Sequence, residues 1–226
     1  MTGPTSGLLW AMDCAVAALL VVWHARGLLP RQPEPDPASP GADSKPPYSK
    51  LATWPFTASC VLLAALCQLA GVVGVPAHRP LWISWGSAVL VLVAVDARTT
   101  WLPRRLTWWC LGQVGVAIGL AAWWARDPGA LAGAALGGAA TGALFWLVWR
   151  LGAGLGFGDV RLALGLGALS GAVSAEFWFA SLLGASVVGA LWGLIWTALR
   201  GRGAPFAYGP ALWSGPWLAQ LWTVFG

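Results

Sequence analysis

The chain has 226 residues, of which 58% are hydrophobic and only 9% charged; its mean hydropathy is +0.69 and its formal net charge +5. That composition excludes a soluble globular core and describes a polytopic membrane protein. The basic residues form no dense run, so the positive balance does not describe a nucleic-acid surface.

Eight apolar runs are predicted as spans, at about 7–25, 52–75, 81–97, 106–125, 129–149, 160–175, 177–199 and 209–225. Runs of this length and composition suit helices rather than barrel strands, because a helix satisfies its backbone polar groups within the segment. The fold class is therefore all-α: a transmembrane bundle of about eight helices in one integral membrane domain, 1–226. The first run has no basic stretch before it and carries His24 and Arg26 at its far end. It is read as a retained helix, not a cleaved signal. Residues 30–50 (PRQPEPDPASPGADSKPPYSK) are polar, rich in Pro and without apolar periodicity, and are predicted to form a flexible loop.

The third run ends in a carboxylate, LVLVAVDARTTWLPRRLT, with Asp96 at its edge. Pro103 disfavours helix at the residue before it, so the span ends soon after Asp96 and the next begins near Pro103. In the fifth run, Gly133, Gly137, Gly138 and Gly142 are small residues at spacings that let helices approach closely. Trp108–Trp109 and Trp123–Trp124 fall near span ends and read as interfacial anchors. The sixth run opens with GAGLGFGDVRLALG, where Gly154, Gly156 and Gly158 lead to Asp159. Alternating glycines admit unusual backbone conformations and close approach of another strand, and Asp159 then starts a helix.

Asp96 and Asp159 are the most informative residues. A charge at the bilayer centre costs about 2.5–3.5 kcal/mol even on lenient insertion scales, so intramembrane acids need a reason. Two spans separate them, and an even number of crossings returns the chain to the same face. If that face is cytoplasmic, every one of the 13 Lys and Arg residues except Arg79 and Arg126 falls inside, as the positive-inside rule requires, and both termini lie outside. A plain structural account exists for each acid alone: Asp159 as a helix cap, Asp96 as an interfacial residue paired with Arg98 or Arg104. Together, at matched depth, they read as a catalytic pair sharing one proton, in which the ionised member activates water and the protonated member polarises a carbonyl. This chemistry needs no metal or cofactor, and His24 and His78 fall on opposite faces. The four cysteines (Cys14, Cys60, Cys67, Cys110) lie inside apolar runs without a CxxC and read as packing residues.

AVDARTTWLPRRLT resembles the first catalytic segment of the type IV prepilin peptidases, a family of GxGD intramembrane aspartyl proteases. GLGFGDVRLALGLGALSG resembles the second. APFAYGPAL (204–212) is similar to the family's Pro-Phe-Gly-Pro stretch, with Ala207 and Tyr208 inserted or substituted. The resemblance covers about 90–225, the expected peptidase core. It implies an endopeptidase of the cell inner membrane, working at the cytoplasmic face with Asp96 and Asp159 as catalytic residues. The implied substrate is a prepilin or pseudopilin leader; no nucleic acid and no cofactor are implied.

The resemblance also assigns substrate-binding or loop-shaping roles to Gly154, Gly156, Gly158, Arg161, Pro103, Pro205, Phe206, Gly209 and Pro210. Arg161 stands where lysine is usual, and a snorkelling anchor is an equal reading of it. Arg98 and Arg104 replace residues that are acidic in many members, which bears on substrate preference. Larger members carry a Cys-rich domain after the first helix, associated with N-methylation; here the loop has no cysteine, so a peptidase without methyltransferase activity is expected. Two other readings stay open. One is a proton- or cation-coupled transporter using the paired acids, and the other a non-catalytic membrane assembly protein.

Overall fold

The computed structural model describes residues 4–39, 45–152, 154–201, 204 and 206–225. They form an all-helical, multi-span bundle. Six segments are long and apolar enough to cross a membrane: Gly7–Arg31, Trp54–Val73, Pro76–Thr99, Arg104–Ala125, Gly129–Arg150 and Ala175–Arg200. The chain is thus a multi-pass membrane protein. The runs expected at 160–175 and 209–225 form helices of 17 residues each, Phe157–Val173 and Gly209–Phe225. At ~1.5 Å per residue each is about 26 Å long, slightly shorter than a typical hydrocarbon core.

Helix α1 (Pro4–Val22) continues through wider π-type winding at Trp23–Leu28 and a tight turn at Leu29–Arg31, so the first span runs past its predicted end at 25. A short α2 (Tyr48–Leu51) precedes α3 (Trp54–Cys67) and α4 (Leu69–Val73). The Thr53 hydroxyl caps α3 by accepting the Phe56 N–H. The third span is composite: a turn at Pro76–His78, α5 (Arg79–Ser84), π winding at Trp85–Val89, and α6 (Leu90–Thr99). It is the central element, with 78% of its apolar window buried, against 11% for Ala175–Arg200. The remaining helices are α7 (Arg104–Ala125), α8 (Gly129–Arg150), α9 (Phe157–Val173), α10 (Ala175–Arg200) and α11 (Gly209–Phe225).

Three devices fix the arrangement around the site. Helices α8 and α9 meet through facing glycines: a methyl group on Gly133, Gly137, Gly167 or Gly171 would lie 2.3–2.4 Å from a carbonyl oxygen of the other helix. Only hydrogen fits there, so the two backbones touch. The second device joins the third span to α11. The Trp85 indole N–H donates to the Trp213 carbonyl and the Trp213 indole N–H to the Trp85 carbonyl, both at 3.0 Å. The third is an ion pair inside the bundle, in which the Arg79 guanidinium donates to the Asp13 carboxylate at 2.7 Å and to the Leu9 carbonyl at 2.9 Å. Asp13 lies within α1, and both side chains are nearly enclosed.

The stretch expected as a flexible loop carries fixed contacts in its described parts. The Gln32 side chain accepts the Leu106 N–H and so caps the start of α7. The Glu34 carboxylate accepts from Lys45 Nζ at 2.5 Å and from the Tyr48 N–H at 2.8 Å. Burial, then the Glu34 charge, push the Tyr48 phenol above its ordinary range. Polar composition alone does not reveal that Tyr48 and Leu51 turn into the core.

Candidate active site

Three chain segments converge at one end of the bundle. α6 ends just beyond Asp96, with Thr100 in the left-handed conformation (φ 57°) closing the helix. The Thr99 hydroxyl donates to the Val95 carbonyl and accepts the Trp101 N–H, bending the chain toward Pro103, after which α7 begins. Leu102 on this bend presses against Gly158: a methyl group there would lie 2.9 Å from the Leu102 side chain. Gly158 thus lets the start of α9 settle against the end of α6.

Asp159 sits in the first turn of α9, where its Oδ2 accepts the Gly156 N–H at 3.0 Å. This is half of a capping box; a glycine has no side chain to supply the other half. Of the three glycines singled out in the sequence, each does something different. Gly154 has φ +78°, the region that favours glycine; Gly158 provides the close approach; Gly156 has ordinary dihedrals and contributes its N–H. Gly152 (φ +76°) is a further left-handed position in the same loop.

The third segment leads into α11. The Gly209 N–H donates to Asp96 Oδ2 at 2.9 Å, and a methyl group on Gly209 would fall 2.6 Å from that oxygen. Asp96 and Asp159 are both buried, at 3% and 8% exposure, and stand close enough for the Asp159 charge to act on Asp96. Among the described residues each acid has only its Oδ2 held by a backbone N–H, leaving the other carboxylate oxygen without a hydrogen-bond partner. Two enclosed, mutually repelling carboxylates are the arrangement in which one proton is shared.

Residues 83–194, which include both aspartates, match the type IV leader peptidase family. The match spans just under half of the chain. The chain is also similar to two curated proteins, each named a prepilin leader peptidase/N-methyltransferase. The identity is 35% over 153 residues with the one from Xanthomonas campestris, covering 62% of this chain and 51% of the relative. It is 34% over 150 residues with the one from Pseudomonas aeruginosa, covering 63% of this chain and 48% of the relative. The chain spans about half the length of these relatives. No solved structure matches it.

The other leader-peptidase positions named from the sequence are spread around this end. Pro103 precedes α7 and Pro210 lies in the first turn of α11. Phe206 packs edge-on to Tyr208, their rings 5.8 Å apart. Pro205 lies outside the described residues. Arg161 makes no ion pair with either acid; its guanidinium lies over the Phe157 ring at 5.3 Å.

Tyr208 is the contact that the sequence motif does not disclose. The tip of its side chain abuts Gly189 of α10, where a methyl group would come within 2.5–2.6 Å of Cε2, Cζ and Oη, and its ring packs on Phe145 of α8. Burial, then the Asp159 charge, raise the Tyr208 phenol above its ordinary value. The next residue, Gly209, donates to Asp96, so this short segment touches α8, α10 and the first acid. The signal for this was the aromatic residue directly before Gly209-Pro210; the slot at Gly189 exists only in the folded bundle.

Proposed function

We propose that this protein is an intramembrane aspartyl endopeptidase that removes the leader of prepilins or pseudopilins, with Asp96 and Asp159 as its catalytic pair. The observation that carries this reading is the meeting of two buried carboxylates from helices distant in sequence, each oriented by one backbone N–H. The ionised acid takes a proton from water, the resulting hydroxide adds to the scissile carbonyl, and the protonated acid donates to the carbonyl oxygen. Collapse of the gem-diol returns one hydroxyl proton to the second acid and expels the amine, which receives the proton held by the first acid, so the pair is restored. The names of the two relatives support a prepilin-type substrate.

Eight passes, counting α9 and α11 as short spans, form one membrane domain with its peptidase core at 90–225. The acid-bearing end faces the cytoplasm, because that orientation leaves only Arg79 and Arg126 on the far side. A substrate made of a polar leader followed by an apolar helix presents its junction at that depth. The loop between the first two spans has no cysteine, which supports a peptidase without the methyltransferase function in the relatives' names.

The test is the purified protein in proteoliposomes with leader-junction peptides. Expected are cleavage and a product whose new N-terminal amine is unmodified by mass spectrometry. Methylation by the purified protein alone would overturn the loop argument. Ion flux without cleavage would favour the transporter. Within this reading, Gly209→Ala drives a methyl group against Asp96 Oδ2. Displacement of a reacting group by about 1 Å costs on the order of a hundredfold in turnover. The variant should fold, since Gly209 has no unusual dihedral, and should lose kcat rather than substrate affinity.

A further inference from the structure

The helices from α8 onward form two locked pairs. α8 and α9 touch through the facing glycines, and α9 carries Asp159. α10 and α11 are locked in the same manner: a methyl group on Gly215 would strike the Ser181 carbonyl oxygen, and one on Gly184 would lie 3.2 Å from the Leu218 side chain. α11 opens at Gly209, whose N–H holds Asp96. Between the pairs, α8 and α10 are bridged at both ends of a seam. Near the start of α10, remote from the acids, the Trp178 indole N–H donates to the Thr141 hydroxyl at 2.8 Å, and the Trp178 ring covers Gly137. Gly189 lies eleven residues further on, about 17 Å along the helix. There the bridge is made by side chains of a third segment. Tyr208 stands between Phe145 of α8 and Gly189 of α10, and Phe206, edge-on to it, reaches Gly193 of α10.

Both acids are buried, so a substrate meets them only after something is displaced. The backbone locks within each pair yield only if the helices part. An aromatic ring, by contrast, swings out of a glycine slot by rotation of its own side chain. α10 is also the least buried of the six long spans. We propose that Tyr208 is a plug, a positioning residue that closes the seam between α8 and α10 and is pushed from its slot on Gly189 by the apolar helix of the incoming substrate. This rests on the peptidase reading. Gly209 follows Tyr208 directly, so unseating the ring also shifts the N–H that holds Asp96 Oδ2. Entry of the substrate and release of Asp96 for the reaction are then one movement. A short peptide has no helix to drive it and depends on spontaneous opening.

The experiment uses the full chain in proteoliposomes and two substrates with the same leader junction, one continuing into an apolar helix and one a short peptide. The unaltered protein should prefer the helix-bearing substrate by about tenfold in kcat/KM. Tyr208→Ala removes the ring and Gly189→Ala fills its slot; each should raise kcat/KM for the short peptide by about fivefold, narrowing the preference. Tyr208→Phe keeps the ring and should keep the preference. Gly193→Ala, whose methyl group would meet Phe206 at 3.8 Å, an ordinary contact, is the control and should change nothing. A measurement independent of turnover, and of whether the Ala variants fold, is Tyr208→p-azidophenylalanine combined with Asp96→Asn. Its photo-cross-link to α8 or α10 should fall severalfold when the helix-bearing substrate is added. No preference in the unaltered protein, a preference unmoved by both Ala variants, or a cross-link unchanged at saturating substrate would overturn the plug. So would Tyr208→Phe behaving as Tyr208→Ala, which would assign the hydroxyl to the chemistry, or an equal loss of kcat on both substrates in Tyr208→Ala, which would leave the residue only a support for Asp96. Absence of cleavage of both substrates by the unaltered protein would overturn the peptidase reading itself, and the plug with it.

Discussion

Asn in place of either Asp96 or Asp159 should stop leader removal. The substitution is nearly isosteric, and an Asn carbonyl oxygen can still accept the N–H of Gly209 or Gly156 that now binds the carboxylate. The fold should therefore survive while the exchangeable proton is lost. General acid–base groups contribute roughly 10²–10⁴-fold each, and members of a working pair are not additive. Each single variant should fall by about a thousandfold or more, and the double variant hardly further. Processing of a co-expressed prepilin, followed by immunoblot, reads the result in cells; turnover of a peptide by purified variants reads it in vitro. Undiminished processing by either variant would remove that aspartate from the reaction.

A comparably large effect is expected where α8 crosses α9. Gly137→Val places branched carbons where the Gly167 carbonyl oxygen now stands 2.4 Å from the position of a first side-chain atom. The obstacle is backbone, which cannot rotate aside, so the helices must separate. Overpacking of this kind costs about 1–3 kcal/mol or more. Because α9 carries Asp159 in its first turn, the separation also spoils the pairing of the acids. Lower thermal stability in detergent and a loss of activity larger than the loss of folded protein are expected together. Gly119→Ala on α7, with nothing within 4 Å, is the control and should change neither. A Gly137→Val protein with unaltered stability and turnover would show that the tight crossing has no such importance.

Much of the helix layout is written in the order of apolar runs. The predicted spans 106–125 and 129–149 lie against Arg104–Ala125 and Gly129–Arg150, because Pro103 and the Arg126-Asp127-Pro128 turn punctuate them. The first span ran on to Arg31 because π winding absorbs Gly27, which offers no stop signal of its own. That the two aspartates return to one face follows from counting crossings, which tolerates errors in the edges; their approach to each other does not. Other contacts have no local signature. Leu102 against Gly158, Tyr208 on Gly189, and the reciprocal indole bonds of Trp85 and Trp213 join residues far apart in the chain. Gln32 at the head of α7 belongs to the same class: composition marks its segment as polar and loose, whereas a single acceptor meeting an unpaired N–H ties it down.

The Asp13–Arg79 bond sets a condition on biogenesis. The two residues are 66 apart in sequence, and the span that carries the acid is made before the one that carries its counterion. At roughly 5–20 residues per second of translation, the nascent first helix waits on the order of several seconds with its carboxylate unmatched. Until Arg79 arrives, the early span carries a cost on the order of 2.5–3.5 kcal/mol for its lone carboxylate, which the later helix then offsets.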